Sequence, residues 1–284
     1  METMKNNTVK IPVKLIALDL DGTTLNSKGI LTEGTREAIH KAVRQEVHVV
    51  IATGRAYSAL PDEIIEMEGI QYVVTSNGAR VLDLITKETI YTNMIHETAI
   101  ENTVKILREH AFMMEAFIAG AAYIDRKIYD NIESIGLQKK HTDYVMKTRK
   151  PVDNLLEYVL YHKRDVENIN INFGRQEDKK MMGEILSTLE NVTVTSSFDH
   201  NLEIGGATTS KADALQDLCL RLGIRQEEIM ACGDSPNDLS MLLSAGFSVA
   251  MGNGKDQVKA IAKFITGSND EDGVATAIRK FVLL

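Results

Sequence analysis

Three short apolar runs, each followed by polar residues and a glycine, constrain the fold of this chain most strongly. The runs and the segments that follow them are 13–18 with Asp19-Leu20-Asp21-Gly22-Thr23, 47–52 with Thr53-Gly54-Arg55, and 72–75 with Ser76-Asn77-Gly78. Apolar residues at helical spacing predict helices between the runs, at about 32–43 and 56–67. Strand, helix, strand, helix, strand is the pattern of an open parallel sheet, whose ligands lie beyond the carboxyl ends of the strands.

The middle of the chain, from about residue 84 to residue 194, has longer and more charged segments. Its periodicity predicts a helix at about 97–110 and an alternating strand at 166–173. None of its segments ends in a glycine turn of the kind that surrounds a phosphate. This middle part therefore differs in kind from the part that precedes it.

The strand and helix alternation returns near the end of the chain. A helix is predicted at about 211–222, and the strand 229–232 leads into Gly233-Asp234-Ser235-Pro236-Asn237-Asp238. The pattern predicts an α/β fold with a doubly wound, Rossmann-like parallel sheet and an inserted α+β domain. The predicted domains are a discontinuous core of residues 1–83 and 195–284, and an insertion of residues 84–194.

Composition excludes some classes of partner. The 284 residues include 40 acidic and 32 basic side chains, a net charge of −8, whereas a nucleic-acid binder needs a basic excess. Cys219 and Cys232 cannot form a disulfide framework, and each lies in an apolar segment, so we expect buried free thiols. The polar first ten residues and the charges that follow predict neither a signal peptide nor a membrane span. We expect a cytoplasmic protein without nucleic-acid or membrane partners, and no feature predicts an oligomeric state.

Two carboxylates, Asp19 and Asp21, follow the first apolar run directly. A calcium loop of the EF-hand type needs a glycine at its sixth position and Glu at its twelfth, but counting from Asp19 the glycine is fourth and Ile30 is twelfth. A solvated turn is the other alternative. Two carboxylates beside a buried strand repel each other unless a cation or a hydrogen-bond donor compensates, which favours a functional site.

Two glycine-containing segments resemble nucleotide-binding loops without meeting their requirements. Residues 205–211 suggest a P-loop, but Ser210 precedes the lysine where the motif needs Gly, and Ala212 follows it where the motif needs Ser or Thr. Gly252-Asn253-Gly254 begins a dinucleotide fingerprint, but Gln257 occupies the place of the third glycine. Both nucleotide readings fail.

The polar segments gain meaning from their order along the chain. Taken singly, Thr53, Asp234 and Asp238 would be helix caps, and Lys211 would be a solvated helix residue. Taken together, they resemble the four motifs of the haloacid dehalogenase-like (HAD) superfamily, which here are Asp19-Leu20-Asp21-Gly22-Thr23, Thr53-Gly54-Arg55, Lys211 and Gly233-Asp234-Ser235-Pro236-Asn237-Asp238. Further segments resemble signatures of its Cof-type branch, sugar-phosphatase-like proteins with a type IIB cap, namely Ser76-Asn77-Gly78-Ala79, Val249-Ala250-Met251-Gly252-Asn253 and Asn269-Asp270-Glu271-Asp272-Gly273-Val274.

The chain departs from the pattern of this branch at two places. Ser235-Pro236 stands where Gly-Glu is common, which alters the loop expected to face the cap. Ala212 stands where a glycine often follows the lysine. Neither departure removes a group that would react.

The resemblance implies a phosphatase that works through an aspartyl-phosphate. Asp19 would be the nucleophile, and Asp21 would protonate the leaving group and then activate water. Thr53 and Lys211 would bind phosphate oxygens, Lys211 also pairing with Asp19, and backbone N–H groups near Gly54 would add donors.

The resemblance also implies one Mg²⁺ ion. The carboxylates of Asp19 and Asp234 and the backbone carbonyl of Asp21 would hold it, with Asp238 as a ligand or as an anchor. A site made only of oxygen ligands suits Mg²⁺. Asn77 and Asn237 are predicted to help bind the substrate by positioning it.

The implied substrate is a small phosphorylated metabolite, either a sugar phosphate or a phosphorylated cofactor. A phosphomutase or phosphotransferase that uses the same aspartyl-phosphate is the alternative, and a catalytically silent metabolite-binding regulator is a third. The insertion carries cations that could bind a polar or second anionic group, although such residues more often form a solvated face. They are Arg126, Lys127, Arg149 and Lys150.

Overall fold

A computed structural model describes residues 12–135 and 139–283 of the chain. The strands of these residues are β1 (Leu15–Leu18), β2 (His48–Ala52), β3 (Ile70–Thr75), β4 (Arg80–Asp83), β5 (Thr89–Thr92), β6 (Met113–Ile118), β7 (Ala121–Asp125), β8 (Arg149–Val152), β9 (Val166–Asn172), β10 (Val192–Thr195), β11 (Asn201–Gly206), β12 (Ile229–Gly233), β13 (Phe247–Ala250) and β14 (Phe264–Ile265). The helices are α1 (Glu33–Arg44), α2 (Asp62–Ile65), α3 (Glu97–Leu107), α4 (Arg126–Asp130), α5 (Lys139–Thr148), α6 (Leu155–Tyr161), α7 (Gln176–Leu186), α8 (Lys211–Leu222), α9 (Leu239–Ser244), α10 (Asp256–Ile261) and α11 (Gly273–Phe281).

The larger sheet has β1 near its centre. Within the described ranges its order is β14-β13-β12-β1-β2-β3-β4-β5. The strands from β14 to β3 are parallel to their neighbours, and β4 and β5 extend the edge as antiparallel strands. All four residues of β1 are fully buried. A parallel strand covered on both faces is apolar throughout, which is why the first apolar run predicts it so clearly.

Helices cover both faces of this sheet. Leu15 and Ala17 of β1 belong to an apolar cluster with residues of α8 and α9. Ile16 and Leu18 point to the opposite face, where their cluster includes residues of α1 and α11. Alternate residues of one strand thus fill two separate cores, and the predicted doubly wound α/β fold is confirmed.

A second, mainly antiparallel sheet is built from the middle of the chain. Its order is β10-β11-β9-β6-β7-β8, and β7 with β8 is a parallel pair. Helices α3, α6 and α7 pack on it through residues such as Ile100, Val159 and Met182. We call this sheet and its helices, residues 95–206, the inserted unit.

The two sheets divide the chain later than the boundaries predicted at 83/84 and 194/195. Strand β5 lies after residue 84, yet it pairs with β4 in the larger sheet. Strand β11 lies after residue 195, yet it pairs with β9 and β10 in the inserted unit. Each predicted boundary lies one strand before the change of sheet, because the change in sequence character does not coincide with that change. We propose boundaries at Met94 and at residues 207–210 instead.

The two places where the chain crosses between the sheets lie side by side. Asn93 Nδ2 donates a hydrogen bond to Thr208 Oγ1 at 2.9 Å. Thr209 Oγ1 donates to the backbone carbonyl of Asn93, also at 2.9 Å. The inserted unit therefore leaves the core and returns to it at one joint.

The predicted helix at 56–67 is wrong. The structure has a single 3₁₀ turn at Tyr57–Ala59 and the short helix α2. Pro61 lies between them, and a proline has no N–H to donate and clashes with the preceding turn. By contrast, α1 follows its prediction, and Thr32 Oγ1 caps it by accepting the Thr35 N–H at 3.3 Å.

Both cysteines are buried and free, as expected. Burial raises the pKa of Cys219 to about 11 and the pKa of Cys232, where Asp238 adds to the effect, to about 12. These thiols are therefore protonated and unreactive at neutral pH. No helix in the described part of the chain is long and apolar enough to cross a bilayer.

Candidate active site

The polar segments after β1, β2 and β12 meet at the carboxyl edge of the larger sheet. The last residue of β1 is paired with Cys232 on one side and with Ile51 on the other. Asp19, Thr53 and Asp234, which follow these strands, therefore emerge at the same edge. This is the arrangement that the alternating pattern predicts for a ligand site.

Lys211 binds two of the carboxylates at this edge. Its Nζ donates to Asp19 Oδ1 at 2.6 Å and to Asp238 Oδ1 at 2.7 Å, and its side chain has no exposed surface. Burial alone would lower the pKa of Lys211, but the carboxylates of Asp19 and Asp238 outweigh burial and raise it. The lysine therefore stays charged inside the protein.

The carboxylates still carry more negative charge than Lys211 can neutralise. Burial, together with the nearby carboxylate of Asp238, raises the pKa of Asp19 well above its usual value, although Lys211 opposes the shift. Burial and Asp238 also raise the pKa of Asp234 to about 6. Both shifts have the sign expected where anions lie close together without enough positive charge, so a further cation would stabilise the site.

The acidic side chains fit a hard cation. One ligand oxygen from each of Asp19, Asp234 and Asp238 lies within 4.8 Å of the others. The oxygens of Asp238 are already engaged, Oδ1 with Lys211 and Oδ2 with the N–H groups of Asp234 at 2.9 Å and Ser235 at 3.0 Å. Asp19 and Asp234 are therefore better placed to bind Mg²⁺, and Asp238 is better placed to anchor Lys211 and the loop after β12.

The turn after Asp21 is shaped around Asp234. Gly22 has a φ of +81°, and a Cβ built on it would lie 2.6 Å from Asp234 Oδ2, so a larger residue is excluded on both grounds. Thr23 Oγ1 donates to Asp234 Oδ1 at 3.0 Å. Asn253 Nδ2 donates to the Gly22 carbonyl at 2.8 Å. These contacts fix the loop that carries Asp21 against the acidic cluster.

Asp21 is held by a residue to which the sequence analysis assigned no role. Arg55 donates from Nε to Asp21 Oδ2 at 2.7 Å and from Nη2 to Asp21 Oδ1 at 2.6 Å. Its Nη1 also donates to the Ala59 carbonyl at 3.0 Å, and its backbone N–H donates to Thr53 Oγ1 at 3.1 Å. The signal for Arg55 was its place directly after Thr53 and Gly54 in the same motif.

A second cluster joins the remaining predicted residues to the inserted unit. Asn237 Nδ2 donates to Asn77 Oδ1 at 2.9 Å and to Ser197 Oγ at 3.0 Å. Ser197 Oγ donates in turn to Glu203 Oε2 at 2.5 Å. Gly54 lies against this cluster, since a Cβ on it would be 3.1 Å from Asn77 Oδ1 and 3.3 Å from Glu203 Oε1. Burial raises the pKa of Glu203, and the place of this carboxylate between Leu202 and Ile204 was the sequence signal for it.

The cations of the insertion differ in their surroundings. Arg149 is only 8% exposed and donates to both carboxylate oxygens of Glu115, at 2.7 and 3.1 Å. The interpretation as a solvated face is therefore wrong for Arg149. The other three, Arg126, Lys127 and Lys150, are exposed and fit that interpretation.

The family described as haloacid dehalogenase-like hydrolase matches residues 16–278. This chain belongs to that family. The phosphatase YwpJ of Bacillus subtilis is 34% identical to it over 93% of this chain and 98% of the relative. The enzyme named 5-amino-6-(5-phospho-D-ribitylamino)uracil phosphatase YcsE, from the same organism, is 32% identical over 96% of this chain and 97% of the relative.

Solved structures agree with this assignment. A haloacid dehalogenase-like hydrolase from B. subtilis superimposes with a TM-score of 0.84 at 30% identity, covering 95% of this chain and all of the other. A HAD subclass IIB sugar phosphatase shares the fold, with a TM-score of 0.80 at 22% identity over 95% of this chain and 99% of the other. The predicted resemblance to the HAD superfamily is confirmed, and this HAD hydrolase is an enzyme of the phosphatase type.

We expect the metal-free HAD hydrolase to lose stability as pH rises through the range in which Asp234 ionises. The pKa of Asp234 is about 6 in the folded chain against an ordinary 3.8, so the folded state binds this proton more tightly than the unfolded chain. Stability contributed by the proton is complete below about pH 4 and is lost as pH rises past about 6. Added Mg²⁺ should therefore raise the melting temperature more at about pH 7 than at about pH 5.

Asp234→Asn is the matched variant for this measurement. This variant should show a smaller fall in melting temperature as pH rises. The rise in its melting temperature on adding Mg²⁺ should also differ less between about pH 5 and about pH 7. If Mg²⁺ stabilised the parent protein equally at both pH values, the metal assignment would be contradicted.

We expect Gly22→Ala to reduce turnover at least about a hundredfold, because the new Cβ displaces Asp234 and strains a left-handed turn. Gly223→Ala is the control. Gly223 also has a positive φ, of +67°, but no atom lies within 4 Å of its Cβ position. Steady-state kinetics of both variants measure the difference, and equal activity in the two would show that the close approach to Asp234 is unimportant.

Proposed function

We propose that the chain is a Mg²⁺-dependent phosphomonoesterase that hydrolyses a small phosphorylated metabolite through an aspartyl-phosphate on Asp19. The observation that carries this proposal is that Asp19 contacts Lys211 and also lies in one cluster with the carboxylates of Asp234 and Asp238. Lys211 holds Oδ1 of Asp19, while Oδ2 accepts no hydrogen bond from the described residues. One oxygen is thus fixed and the other is available to attack phosphorus.

The reaction has two halves that use the same residues. First, Asp19 Oδ2 forms a bond to phosphorus as the bond to the leaving oxygen breaks, and Asp21 gives its proton to that oxygen. Then Asp21 takes a proton from water as the water oxygen attacks phosphorus, which releases phosphate and restores Asp19. Mg²⁺, when bound, would offset the repulsion between the Asp19 carboxylate and the phosphate dianion.

The other residues of the site would bind the phosphoryl group. Thr53 and the backbone N–H of Gly54 lie at the end of β2, beside the end of β1, and Lys211 supplies the positive charge. Asn77 and Asn237 bind each other across the edge of the sheet, which suits a role in positioning. Preorganised donors of this kind stabilise charge that develops in phosphoryl transfer.

The relatives suggest a starting point for the substrate. YcsE is named for a phosphorylated ribitylaminouracil, and YwtE of B. subtilis, 31% identical over 93% of this chain, carries the same name. We therefore propose a sugar phosphate or a phosphorylated cofactor or cofactor precursor, with the phosphoribityl compounds tested first. Because both free cysteines fit a reducing compartment, we also propose that the enzyme is cytoplasmic.

Asp19→Asn should abolish turnover while leaving the fold intact, because the amide has nearly the same shape but is not an anionic nucleophile. Release of inorganic phosphate from p-nitrophenyl phosphate and from a panel of sugar and cofactor phosphates measures the loss. Asp130→Asn, in the exposed part of α4, makes the same chemical change away from the site and should be neutral.

Residual activity above about a hundredth of the parent value would reject Asp19 as the nucleophile. The same panel tests the phosphotransferase alternative. An enzyme that passes the phosphoryl group to a sugar acceptor, and releases little inorganic phosphate, would be a transferase, whereas release of inorganic phosphate without an acceptor supports hydrolysis.

Activity should disappear in EDTA and return with Mg²⁺, while Ca²⁺ should support little turnover. Calcium accepts more oxygen ligands at longer distances, so it would let Asp19 chelate through both oxygens and lose its line of attack. Rates measured after chelation and metal replacement check this expectation. Full activity in the chelator would remove the metal role from Asp19 and Asp234.

A further inference from the structure

Tyr144 of the inserted unit lies against Arg55 of the core, and Arg55 holds Asp21, the proposed proton donor. We propose that Tyr144 is a positioning residue that fixes the orientation of Asp21 through Arg55. This inference rests on the proposed role of Asp21 in proton transfer. It adds a residue of the inserted unit to the chemistry of the core.

The core half of this contact is the pair between Asp21 and Arg55. Both carboxylate oxygens of Asp21 accept hydrogen bonds from the guanidinium, at 2.7 and 2.6 Å. The side chain of Arg55 is only 16% exposed, whereas that of Asp21 is 36% exposed. A planar, two-point contact of this kind sets the plane of the carboxyl group as well as its place.

The inserted unit supplies the other half. Tyr144 lies on α5, and the Cζ of Arg55 is 4.9 Å from the centre of its ring. The Cζ of Arg149 is 4.7 Å from the same ring centre. Arg149 is itself held by two hydrogen bonds to Glu115. Tyr144 is thus fixed within the inserted unit and presented to Arg55 of the core.

Proton transfer explains why Arg55 needs this support. When Asp21 holds a proton its carboxyl group is neutral, so its hydrogen bonds from Arg55 lose their charge assistance and become weaker. The Ala59 carbonyl, 3.0 Å from Nη1 of Arg55, and the Tyr144 ring then hold the guanidinium in place. The ring attracts the cation and excludes water from it. The inserted unit therefore adds, through Tyr144, to the contacts that keep Asp21 in a defined orientation.

Two substrates of similar shape test this inference. p-Nitrophenyl phosphate has a good leaving group that needs little protonation, whereas phenyl phosphate has a poor one and depends on a general acid. Tyr144→Ala should lower kcat/KM for phenyl phosphate about tenfold more than kcat/KM for p-nitrophenyl phosphate, because this constant reports the steps up to departure of the leaving group. Asp21→Asn sets the upper limit of this difference, and Arg55→Gln should resemble Tyr144→Ala.

Conservative variants separate the ring from the space that it fills. Tyr144→Phe keeps the ring and should retain the parental ratio of the two kcat/KM values within about twofold. Tyr144→Leu keeps most of the volume but loses the ring, so it should behave like Tyr144→Ala, and it serves where the alanine variant does not fold. Tyr161→Ala, at a tyrosine of the same unit that is 84% exposed, is the control.

The possible results have distinct meanings. Equal losses on both substrates in the alanine and leucine variants would overturn the inference and leave Tyr144 a purely structural residue. A ratio that changes in Tyr144→Phe as much as in Tyr144→Leu would assign the effect to the hydroxyl and would also overturn it. Failure of the proposed function itself shows separately, as parent protein that releases no phosphate from either substrate in the presence of Mg²⁺.

Discussion

The buried ammonium of Lys211 is the interaction on which the candidate site depends. It lies between Asp19 and Asp238 with no exposed surface, and removing one partner from such a buried charge pair costs about 3–5 kcal/mol. Its place is set by backbone packing, because α8 begins at this residue. Gly78, with a φ of +103°, packs so closely on the start of α8 that a Cβ would lie 2.0 Å from the carbonyl oxygen of Ser210. The turn after β3 thus positions the lysine, and the lysine positions the carboxylate after β1.

Much of the core could be predicted because its elements are defined by local sequence. The parallel strands are short apolar runs, and α8 has the predicted bounds of 211–222 because Ser210 caps it and Gly223 ends it in a left-handed conformation. The acidic residues of the site follow from the same logic, since residues at the ends of adjacent parallel strands must converge. Predicting that Asp19 lies near Asp234 therefore requires only the knowledge that β1 and β12 are adjacent in the sheet.

Contacts between residues far apart in the sequence could not be predicted, because they depend on how independently patterned segments lie against each other. Arg149 and Lys150 are adjacent cations, yet only Arg149 is buried. Its guanidinium hydrogen-bonds Glu115 and lies over the ring of Tyr144, which belong to other elements. The pairing of Arg55 with Asp21 depends on the side-chain rotamers of two residues that follow different strands, β2 and β1. Strand β5 has no apolar alternation that marks it as part of the core, and its membership follows only from pairing with β4.

The single joint of the inserted unit has a consequence for how such enzymes diversify. The chain leaves the core at Met94 and returns to it at residues 207–210. Because Asn93 is hydrogen-bonded to Thr208 and Thr209, the two ends of the core segments are in contact where the insertion is attached. A recombination event that replaces the inserted unit, residues 95–206, would leave the core sheet complete, with its edge strand β5 in place. The same short segment 207–210 connects β11 directly to Lys211. An exchanged insertion must therefore end in a strand at the same position as β11, because a strand at another position would displace Lys211. Natural selection can therefore vary the insertion as one module, but only among modules that end in the same way.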